Sequence, residues 1–463
     1  MTATKDLIVI GGGPAGYVAA IRASQLGIRT RLVERENLGG ICLNWGCIPT
    51  KALLHAADVL NQLRGAQELG LVVPEGVHAD LPRVVQRSRE VAQRLRQGVQ
   101  HLLKKHKVEV IVGQARLNGP GIVEITGDSP QTLRADAILI ATGARPRAVD
   151  ALPVDGDRVW NYRHALTAAS LPQTLLIVGA GAIGMEFASF YADLGTQVTV
   201  IEAQARVLPV EDQEISDHVA RAFQKRGINV LTQTSATLQA VDATAAHVAL
   251  STEGGETCVA SFDRVLVCAG VVGNSEDLGL ETTRVVCRNG CIDVDGVGRT
   301  AEPGIYAAGD ICGAPMLAHK ASHEAIRCVE AWTGVAAPGV PARIPSCTYC
   351  RPQVASIGLT EAQARQSERL LSVGRFPFHG NGKALAINHP EGFVKTIFDS
   401  QTGELLGAHL VGPDVTELIQ GLSLAQQLEA TEEDFMHHIF AHPTLSEAIG
   451  ESVLHAYGRA IHL

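Results

Sequence analysis

The chain has 463 residues, of which 46% are hydrophobic and 19% charged, and its formal net charge is -9 at pH 7. This length exceeds what one hydrophobic core supports, so we expect three or four domains. The negative charge gives no broad electropositive surface, which argues against nucleic acid and acidic membranes as partners. No apolar run approaches the roughly 20 residues that span a bilayer, and no cleavable apolar segment precedes the first strand. We therefore expect a cytoplasmic protein.

A glycine-rich loop follows the first predicted strand. The apolar run 7–10 leads into the motif GGGPAG at 11–16, then into a predicted helix and a second strand that ends on Glu34. This order is the dinucleotide-binding fingerprint in its full context. The glycines let a pyrophosphate approach the helix N-terminus, and the acid accepts a hydrogen bond from a ribose hydroxyl. The sequence therefore predicts a first nucleotide site.

Cys42 and Cys47 are separated by four residues. We expect Gly46 to let the chain turn and Pro49 to stop it, which brings the two sulfurs within disulfide reach. An amphipathic helix is predicted from Lys51, so Cys47 lies at or just before a helix N-terminus, where the peptide dipoles and the lysine stabilise a thiolate. Free cysteines are also common as small core residues. In a reducing compartment, a close pair is more typical of catalysis, and we interpret it as a redox couple.

A basic helix is predicted over 83–107, with apolar side chains every three or four residues. A nucleic-acid helix is one interpretation, but a solvated helix face explains the pattern better. A strand over 108–113 follows, and a later strand ends on Ala141-Thr142-Gly143. Small residues at the carboxyl end of a strand let a cofactor approach the sheet, so Gly143 is a candidate cofactor residue, although close strand packing explains it equally well.

The nucleotide fingerprint recurs at the motif GAGAIG, residues 179–184. The spacing from Gly11 to Glu34 equals that from Gly179 to Glu202, which indicates two dinucleotide-binding domains of one design. A late strand of the second domain ends on Gly270. Two bound nucleotides are therefore implied.

The last part of the chain carries no nucleotide fingerprint. An apolar strand over 304–310 ends on Asp310, which would accept a hydrogen bond from a polyol if this strand rejoins the first domain. Beyond residue 344 we predict strands at 353–359, 393–398 and 405–411, and helices at 416–428 and 431–440. Cys347 and Cys350 look like a second redox pair, but residues three apart on a strand point to opposite faces. We interpret them as ordinary strand residues.

Together these motifs resemble the flavin-dependent pyridine nucleotide–disulfide oxidoreductases. The resemblance covers nearly the whole chain and includes PMLAHK at 315–320 and HPTLSE at 442–447. It implies an α/β fold with two Rossmann-like dinucleotide-binding domains, one for FAD and one for NAD, and an α+β C-terminal dimerisation domain. The implied segments are the first part of the FAD domain at 1–145, the NAD domain at 146–275, the FAD return segment at 276–340 and the dimer-interface domain at 341–463.

The resemblance also implies roles for individual residues. Cys42 would exchange with the substrate, Cys47 would lie against the flavin, and His442 would act as the base, oriented by Glu447. The implied FAD-binding residues are Gly11, Gly13, Gly16, Glu34, Lys51, Gly113, Asp310 and Ala318. The implied NAD-binding residues are Gly179, Gly181, Gly184, Glu202 and Gly270. Lys51 is implied to pair with Glu186 close to the flavin.

The implied reaction is the oxidation of protein-bound dihydrolipoamide to lipoamide, with reduction of NAD to NADH. The implied partners are a second copy of the chain, giving a homodimer, and a lipoyl domain or lipoyl carrier protein of a 2-oxoacid dehydrogenase or related complex. One departure stands out, because other members often carry arginine after the strand that here ends with residues 268–274. The nicotinamide side is therefore expected to be contacted differently.

Rival functions remain to be weighed. Glutathione reductase and mercuric reductase share the cysteine spacing and the terminal histidine, but Glu202 would repel the extra phosphate of NADPH. A mercuric reductase is expected to carry a cysteine pair near its C-terminus, whereas the last cysteine here is Cys350. A non-catalytic flavoprotein subunit is opposed by the intact cysteine pair and the intact His442. The histidines near residue 440 lack an acid at metalloprotease spacing, so no metal site is predicted.

Overall fold

The computed structural model describes residues 5–335 and 343–463. These residues form two compact units, one made of 5–52, 83–147 and 270–335, and the other of 53–82, 148–269 and 343–463. The α-helices are Pro14–Gln25, Gly40–Trp45, Cys47–Arg64, Leu81–Lys105, Tyr162–Ala165, Ala182–Leu194, Gln213–Lys225, Ala318–Thr333, Glu361–Gln366, Gly382–Ala386, Val415–Gln427, Glu432–His437 and Glu447–Ala456. Within the described ranges, none of the helices is long and apolar enough to cross a membrane.

The first unit contains a five-stranded parallel sheet. In spatial order its strands are Ile305–Ala307, Ala137–Ile140, Asp6–Ile10, Arg29–Glu34 and Glu109–Val112. The central strands are almost continuous runs of buried aliphatic residues, as expected when both faces of a parallel sheet are covered. The strand that ends before residue 308 joins this sheet, so the chain returns to its first nucleotide fold after residue 270. Smaller strands of this unit are Gln114–Leu117, Ile122–Thr126, Gln131–Arg134, Ala144–Pro146, Val271–Gly273, Cys287–Arg288 and Cys291–Ile292.

The second unit contains a similar parallel sheet and an antiparallel one. The parallel strands are Asn229–Leu231, Gln197–Ile201, Thr174–Val178, Arg264–Val267 and Val159–Trp160. The antiparallel strands are Ser346–Thr348, Gln353–Gly358, Leu405–Gly412, Phe393–Asp399 and Leu371–Pro377. A three-stranded antiparallel sheet is formed by Thr234–Val241, Ala246–Thr252 and Thr257–Phe262. The α/β fold class is therefore confirmed, with two Rossmann-like sheets and an α+β C-terminal part.

Several elements differ from the sequence-based expectation. The strand Leu371–Pro377 and the helix Glu447–Ala456 were not predicted. The helix predicted over 431–440 ends at His437, since His438 adopts an extended conformation. The strand expected around the second cysteine pair ends at Thr348, so Cys350 does not lie on it. The four-segment domain division stays a prediction.

A buried lysine connects the nucleotide-binding and antiparallel parts of the second unit. Lys395 is 1% exposed, and its Nζ lies 2.8 Å from carboxylate oxygens of Asp212, Glu214 and Glu361. Arg375 also contacts Glu214 and Glu361. Burial acts to raise the pKa of Asp212, but hydrogen bonds from Lys395 and from the Glu361 N–H outweigh it and hold this pKa below its usual value. The lysine therefore neutralises a buried carboxylate, Asp212, and two more exposed ones.

We expect Lys395→Met to lower the free energy of unfolding by about 3 kcal/mol, because removing one partner of a buried ion pair leaves an uncompensated charge. The depressed pKa of Asp212 means that its contribution is present above the unfolded pKa near about 4 and is lost as the pH falls through the folded value. The difference between wild type and variant should therefore shrink in acid. Denaturant unfolding from pH 7 to pH 3 measures this.

Lys225→Met is the matched control, since Lys225 also contacts a carboxylate of the antiparallel part, Glu391, but both side chains are exposed. Surface pairs of this kind add little stability. Equal effects of the two substitutions would contradict the role given to Lys395.

Candidate redox and nucleotide sites

The two cysteines lie on consecutive helices. Cys42 is in the short helix Gly40–Trp45, and Cys47 is the first residue of the helix Cys47–Arg64. Gly46 separates them with φ -144° and ψ -111°, which breaks the helical path and folds one helix end back toward the other. Pro49 does not stop the chain as expected; it lies in the first turn of the second helix, where no intrahelical N–H is needed.

The sulfurs of Cys42 and Cys47 interact directly. Their hydrogen bond, the burial of Cys42 and the charge of Cys47 raise the pKa of Cys42, while the positive charge of Lys51 acts in the opposite direction. Burial, and then the charge at Cys42, also raise the pKa of Tyr17, which places this phenol near the pair. Sequence reasoning missed Tyr17, which follows the first fingerprint as an ordinary helix residue.

The cysteine segment touches the first fingerprint loop through main-chain atoms. The Gly39 N–H donates to the Gly12 carbonyl at 2.8 Å. Gly40 has φ +58°, and a Cβ there would lie 2.7 Å from Gly13 Cα. Only glycine permits both the conformation and this approach. The redox pair and the predicted phosphate loop therefore form one local structure.

Both fingerprints have the same internal geometry. A Cβ on Gly16 would lie 1.8 Å from the Gly11 carbonyl oxygen, and one on Gly184 would lie 2.0 Å from that of Gly179. Each acid then holds its loop: Glu34 accepts from the Gly12 N–H at 2.6 Å, and Glu202 from the Ala180 N–H at 2.8 Å. Each helix that follows points its free N-terminal N–H groups toward its loop, an arrangement that binds pyrophosphates. The remaining predicted glycines of these loops, Gly13 and Gly181, are the N-caps of the two helices.

The other residues predicted for the first nucleotide lie in the first unit. Ala318 begins the helix Ala318–Thr333, and Asp310 follows the parallel strand Ile305–Ala307. Burial raises the pKa of Asp310, with Lys320 opposing and Glu324 reinforcing the shift. Gly143 follows the strand Ala137–Ile140 with φ +68°.

Gly113 borders a cleft of about 510 Å³ on the first unit, beside the end of the strand that carries Glu34. The lining residues are Arg35, Glu36, Val112, Gly113, Gln114, Thr126, Gly127 and Asp128. A Cβ on Gly113 would lie 2.7 Å from atoms of both Ile125 and Thr126. Strand packing alone therefore requires this glycine, whatever the cleft binds.

An arginine from a neighbouring strand contacts the strand Val271–Gly273, which follows Gly270. Gly270 has φ +92°, and the strand Val271–Gly273 pairs with Ala144–Pro146. From that neighbouring strand, Arg145 donates to the Gly273 carbonyl at 2.9 Å. Arg145 therefore stabilises this strand end, and the expected change in contacts on the nicotinamide side stays a prediction.

His442 and Glu447 form a dyad in the second unit. His442 Nδ1 lies 2.8 Å from Glu447 Oε1, and the Thr444 N–H donates to Glu447 Oε2 at 2.8 Å. Although burial acts against it, the Thr444 N–H and His442 hold the pKa of Glu447 below its usual value. The histidine side chain is 78% exposed. An oriented imidazole with an open second nitrogen can accept a proton from a bound group.

Sequence reasoning missed the groups that support this dyad. Besides Thr444, Asn381 contributes by donating to the Thr444 carbonyl at 3.0 Å. Thr444 lies inside the HPTLSE motif, so the motif contained a signal for it. Asn381 lies 63 residues before Thr444 in the chain, and no local pattern indicates it.

Cys347 and Cys350, the other closely spaced cysteines, each contact a main-chain carbonyl. Cys347 Sγ lies 3.9 Å from the Thr416 carbonyl, whereas Cys350 Sγ lies 3.2 Å from the Pro352 carbonyl. Burial, and then the charge of Glu186, raise the pKa of Cys350. Among the residues that the structure describes, no group of three or more His, Cys, Asp or Glu side chains is arranged to hold a metal ion.

Comparison with known proteins adds to this geometry. Residues 5–325 match the model of the family described as pyridine nucleotide-disulphide oxidoreductase, and residues 344–453 match the dimerisation domain of that family. The chain is 48% identical to dihydrolipoyl dehydrogenase of Rhizobium etli, with 100% of both chains covered. It is 50% identical to dihydrolipoyl dehydrogenase of Zymomonas mobilis, with 99% of each covered.

Solved structures agree with these matches. The crystal structure of LpdA from Mycobacterium tuberculosis has a TM-score of 0.90 at 28% identity, covering 97% of this chain and 99% of that one. The HOCl-induced flavoprotein disulfide reductase RclA from Escherichia coli has a TM-score of 0.86 at 27% identity, covering 97% and 99%. The chain belongs to the pyridine nucleotide-disulphide oxidoreductase family.

Proposed function

We propose that this protein oxidises protein-bound dihydrolipoamide to lipoamide and reduces NAD to NADH. The observation that carries the proposal is the Cys42–Cys47 sulfur contact, joined through glycine main chain to a dinucleotide loop. The full-length similarity to dihydrolipoyl dehydrogenases supports the substrate and the electron acceptor. A cytoplasmic location is part of the proposal.

We infer that the first loop binds FAD and the second binds NAD. At Gly16 and Gly184 each helix packs against its own loop too closely for any Cβ, which is the packing that the third fingerprint glycine provides in dinucleotide-binding folds, so the residues fit such groups. When bound, the flavin supplies two-electron transfer between the cysteine dithiol and the nicotinamide. Lys51, Gly113, Gly143, Asp310 and Ala318 are proposed to contact FAD. Glu186 and Gly270 are proposed to contact the cofactors from the NAD side.

We propose the following thiol steps for the chain's own groups. His442 accepts a proton from one substrate thiol, and the thiolate attacks the Cys42 sulfur of the Cys42–Cys47 disulfide. The disulfide bond breaks, a mixed disulfide forms with Cys42, and Cys47 leaves as a thiolate. The second substrate thiol then attacks the substrate sulfur of the mixed disulfide and gives up its proton to Cys42. The bond between that sulfur and Cys42 breaks, and lipoamide and the Cys42 thiol are released. The substrate has lost two electrons, and the cysteine pair has gained them.

We propose that the active form is a homodimer in which His442 of one chain serves the disulfide of the other. The match of residues 344–453 to a dimerisation domain supports this arrangement. A closed two-fold dimer would hold two identical sites. The proposed partner is a lipoyl domain or lipoyl carrier protein.

A related disulfide reductase is the alternative, favoured by the high TM-score to RclA. The contacts of Glu202 argue for NAD rather than NADP, because its carboxylate is fixed by two backbone N–H groups beside the second loop. Side-by-side assays with dihydrolipoamide plus NAD and with glutathione disulfide plus NADPH separate the two functions. Activity only in the second assay would overturn the proposal.

The first prediction concerns the roles of the two sulfurs. The proposal assigns exchange with the substrate to Cys42, so the thiolate that interacts with oxidised flavin should be Cys47. We expect Cys42→Ser to keep a long-wavelength charge-transfer absorbance and Cys47→Ser to lose it, measured by anaerobic spectroscopy of the flavin-loaded variants. Retention of the band in Cys47→Ser would reverse the assignment.

The second prediction concerns nucleotide choice. Glu202→Gln removes the negative charge that repels a 2′-phosphate while keeping the side-chain shape, so the preference for NAD over NADP should narrow by about tenfold. The ratio of kcat/KM values measures it. Glu34→Gln is the matched control at the corresponding position of the first fingerprint; it should weaken FAD retention and leave the NAD/NADP ratio unchanged. A wild-type enzyme that uses both nucleotides equally would contradict this role.

The third prediction concerns the shared site. Cys47→Ser and His442→Gln homodimers should each lose at least about a hundredfold of dihydrolipoamide oxidation, since one lacks the redox pair and the other the base. Unfolding and refolding them together should restore about one working site per heterodimer, measured as NADH formation. Chain exchange shown with differently tagged subunits, without recovered activity, would mean that His442 does not serve the partner's disulfide.

A further inference from the structure

A buried polar stripe runs along the helix Ala182–Leu194, which begins directly after the second fingerprint loop. Glu186, Ser189 and Asp193 have the spacing of one helix face, and they are 6%, 0% and 5% exposed. This burial is unusual, because polar side chains on helices normally face water. Buried polar groups are costly unless they are hydrogen-bonded, so their partners show what the stripe does.

The partners come from the turn between two strands of the antiparallel sheet, residues 349–351. The Tyr349 N–H donates to Glu186 Oε1 at 3.0 Å, and the Arg351 N–H donates to Ser189 Oγ at 2.9 Å. The Arg351 side chain reaches Asp193 Oδ1 at 2.6 Å. Each polar residue of the stripe therefore contacts this turn, in the same order along both segments.

A second guanidinium completes the arrangement. Arg226, which follows the helix Gln213–Lys225, lies 2.5 Å from Asp193 Oδ1 and donates to Ser189 Oγ at 3.2 Å. It also donates to the Arg351 carbonyl at 2.5 Å. Two arginines thus share one nearly inaccessible carboxylate. We call Ser189, Asp193, Arg226 and Arg351 the clamp.

We propose that the clamp positions Glu186, and with it the helix that begins at the second nucleotide loop, so that Asp193 is a positioning residue for electron transfer to NAD. The inference rests on the proposed role of Glu186 at the cofactor site. The Tyr349 N–H is a fixed main-chain donor, so it sets the direction of the Glu186 carboxylate only while the helix and the turn stay in register. The two ion pairs at Asp193, two turns further along the helix, hold that register.

We expect the clamp to affect only one of the two half-reactions, the exchange of electrons with the nicotinamide. Glu186 lies two residues beyond the second fingerprint and in the same unit, whereas Cys42 and Cys47 belong to the first unit. A small misplacement of a group at a reacting centre slows the step that uses it by a large factor. Loosening the clamp should therefore slow the exchange of electrons with the nicotinamide and leave reduction by the dithiol unchanged.

The test is Asp193→Asn in the flavin-loaded enzyme, with both half-reactions followed anaerobically by stopped flow. Flavin reduction by NADH should slow on the order of tenfold at saturating NADH. Flavin reduction by dihydrolipoamide should stay within about twofold of wild type. Lys225→Met is the matched control, because it removes an exposed ion pair to Glu391 one residue from Arg226 and should change neither rate. Equal slowing of both half-reactions would show a general structural defect and overturn the proposal.

A double-mutant cycle with Glu186→Gln tests whether the clamp acts through Glu186. Asp193→Asn should then have little further effect on reduction by NADH, whereas a full additional tenfold loss would overturn the proposal. If Asp193→Asn does not fold, Ser189→Ala keeps every charge, and an unchanged NADH rate in that variant would equally overturn it. The NADH half-reaction involves no thiol substrate, so an enzyme that fails to oxidise dihydrolipoamide would refute the proposed function without deciding the clamp.

Discussion

The placement of the redox pair depends on main-chain contact between two glycine pairs. Gly39 donates to the Gly12 carbonyl, and Gly40 approaches Gly13 so closely that a Cβ would overlap its Cα. No side chain can stand between these segments, so the helix that carries Cys42 begins against the loop that is shaped for a pyrophosphate. A substitution at either glycine would move the cysteines and the nucleotide loop together. The two segments can approach this closely because glycine has no side chain.

The acid of each fingerprint has a structural role before any ligand binds. One oxygen of Glu34 accepts the Gly12 N–H and the other accepts the N–H two residues beyond the acid; Glu202 repeats both bonds in the second loop. A carboxylate has about four acceptor positions, so these bonds leave capacity for ribose hydroxyls. The acid therefore preorganises the loop and can still recognise the sugar. This double use explains why an aspartate, with a shorter reach, would not substitute freely at either position.

Local motifs carried most of what could be predicted from the sequence. The buried parallel strands and both fingerprints are short and contiguous, and the structure places them within a few residues of the expected bounds. The strand Leu371–Pro377 was missed because Gly374 and Pro377 weaken its pattern. The clamp was missed for a different reason: Asp193, Arg226 and Arg351 are ordinary charged residues in sequence, and only the fold brings them together. The same holds for the support that Asn381 gives to Thr444.

Buried charge, rather than apolar packing alone, connects the nucleotide-binding part of the second unit to its antiparallel sheet. Lys395 lies among three carboxylates at one place, and Asp193 lies between two arginines at another. Such pairs add little net stability because desolvation offsets their attraction, but a misaligned arrangement leaves a buried charge unpaired and costs several kcal/mol, about 3 to 5. The free energy that a misaligned orientation would cost is therefore much larger than the net stability that the native ion pairs provide. We interpret these ion clusters as groups that fix orientation. Apolar surfaces can slide past each other, whereas two separated ion clusters with opposite central charges favour a single alignment of the nucleotide-binding part against the antiparallel sheet.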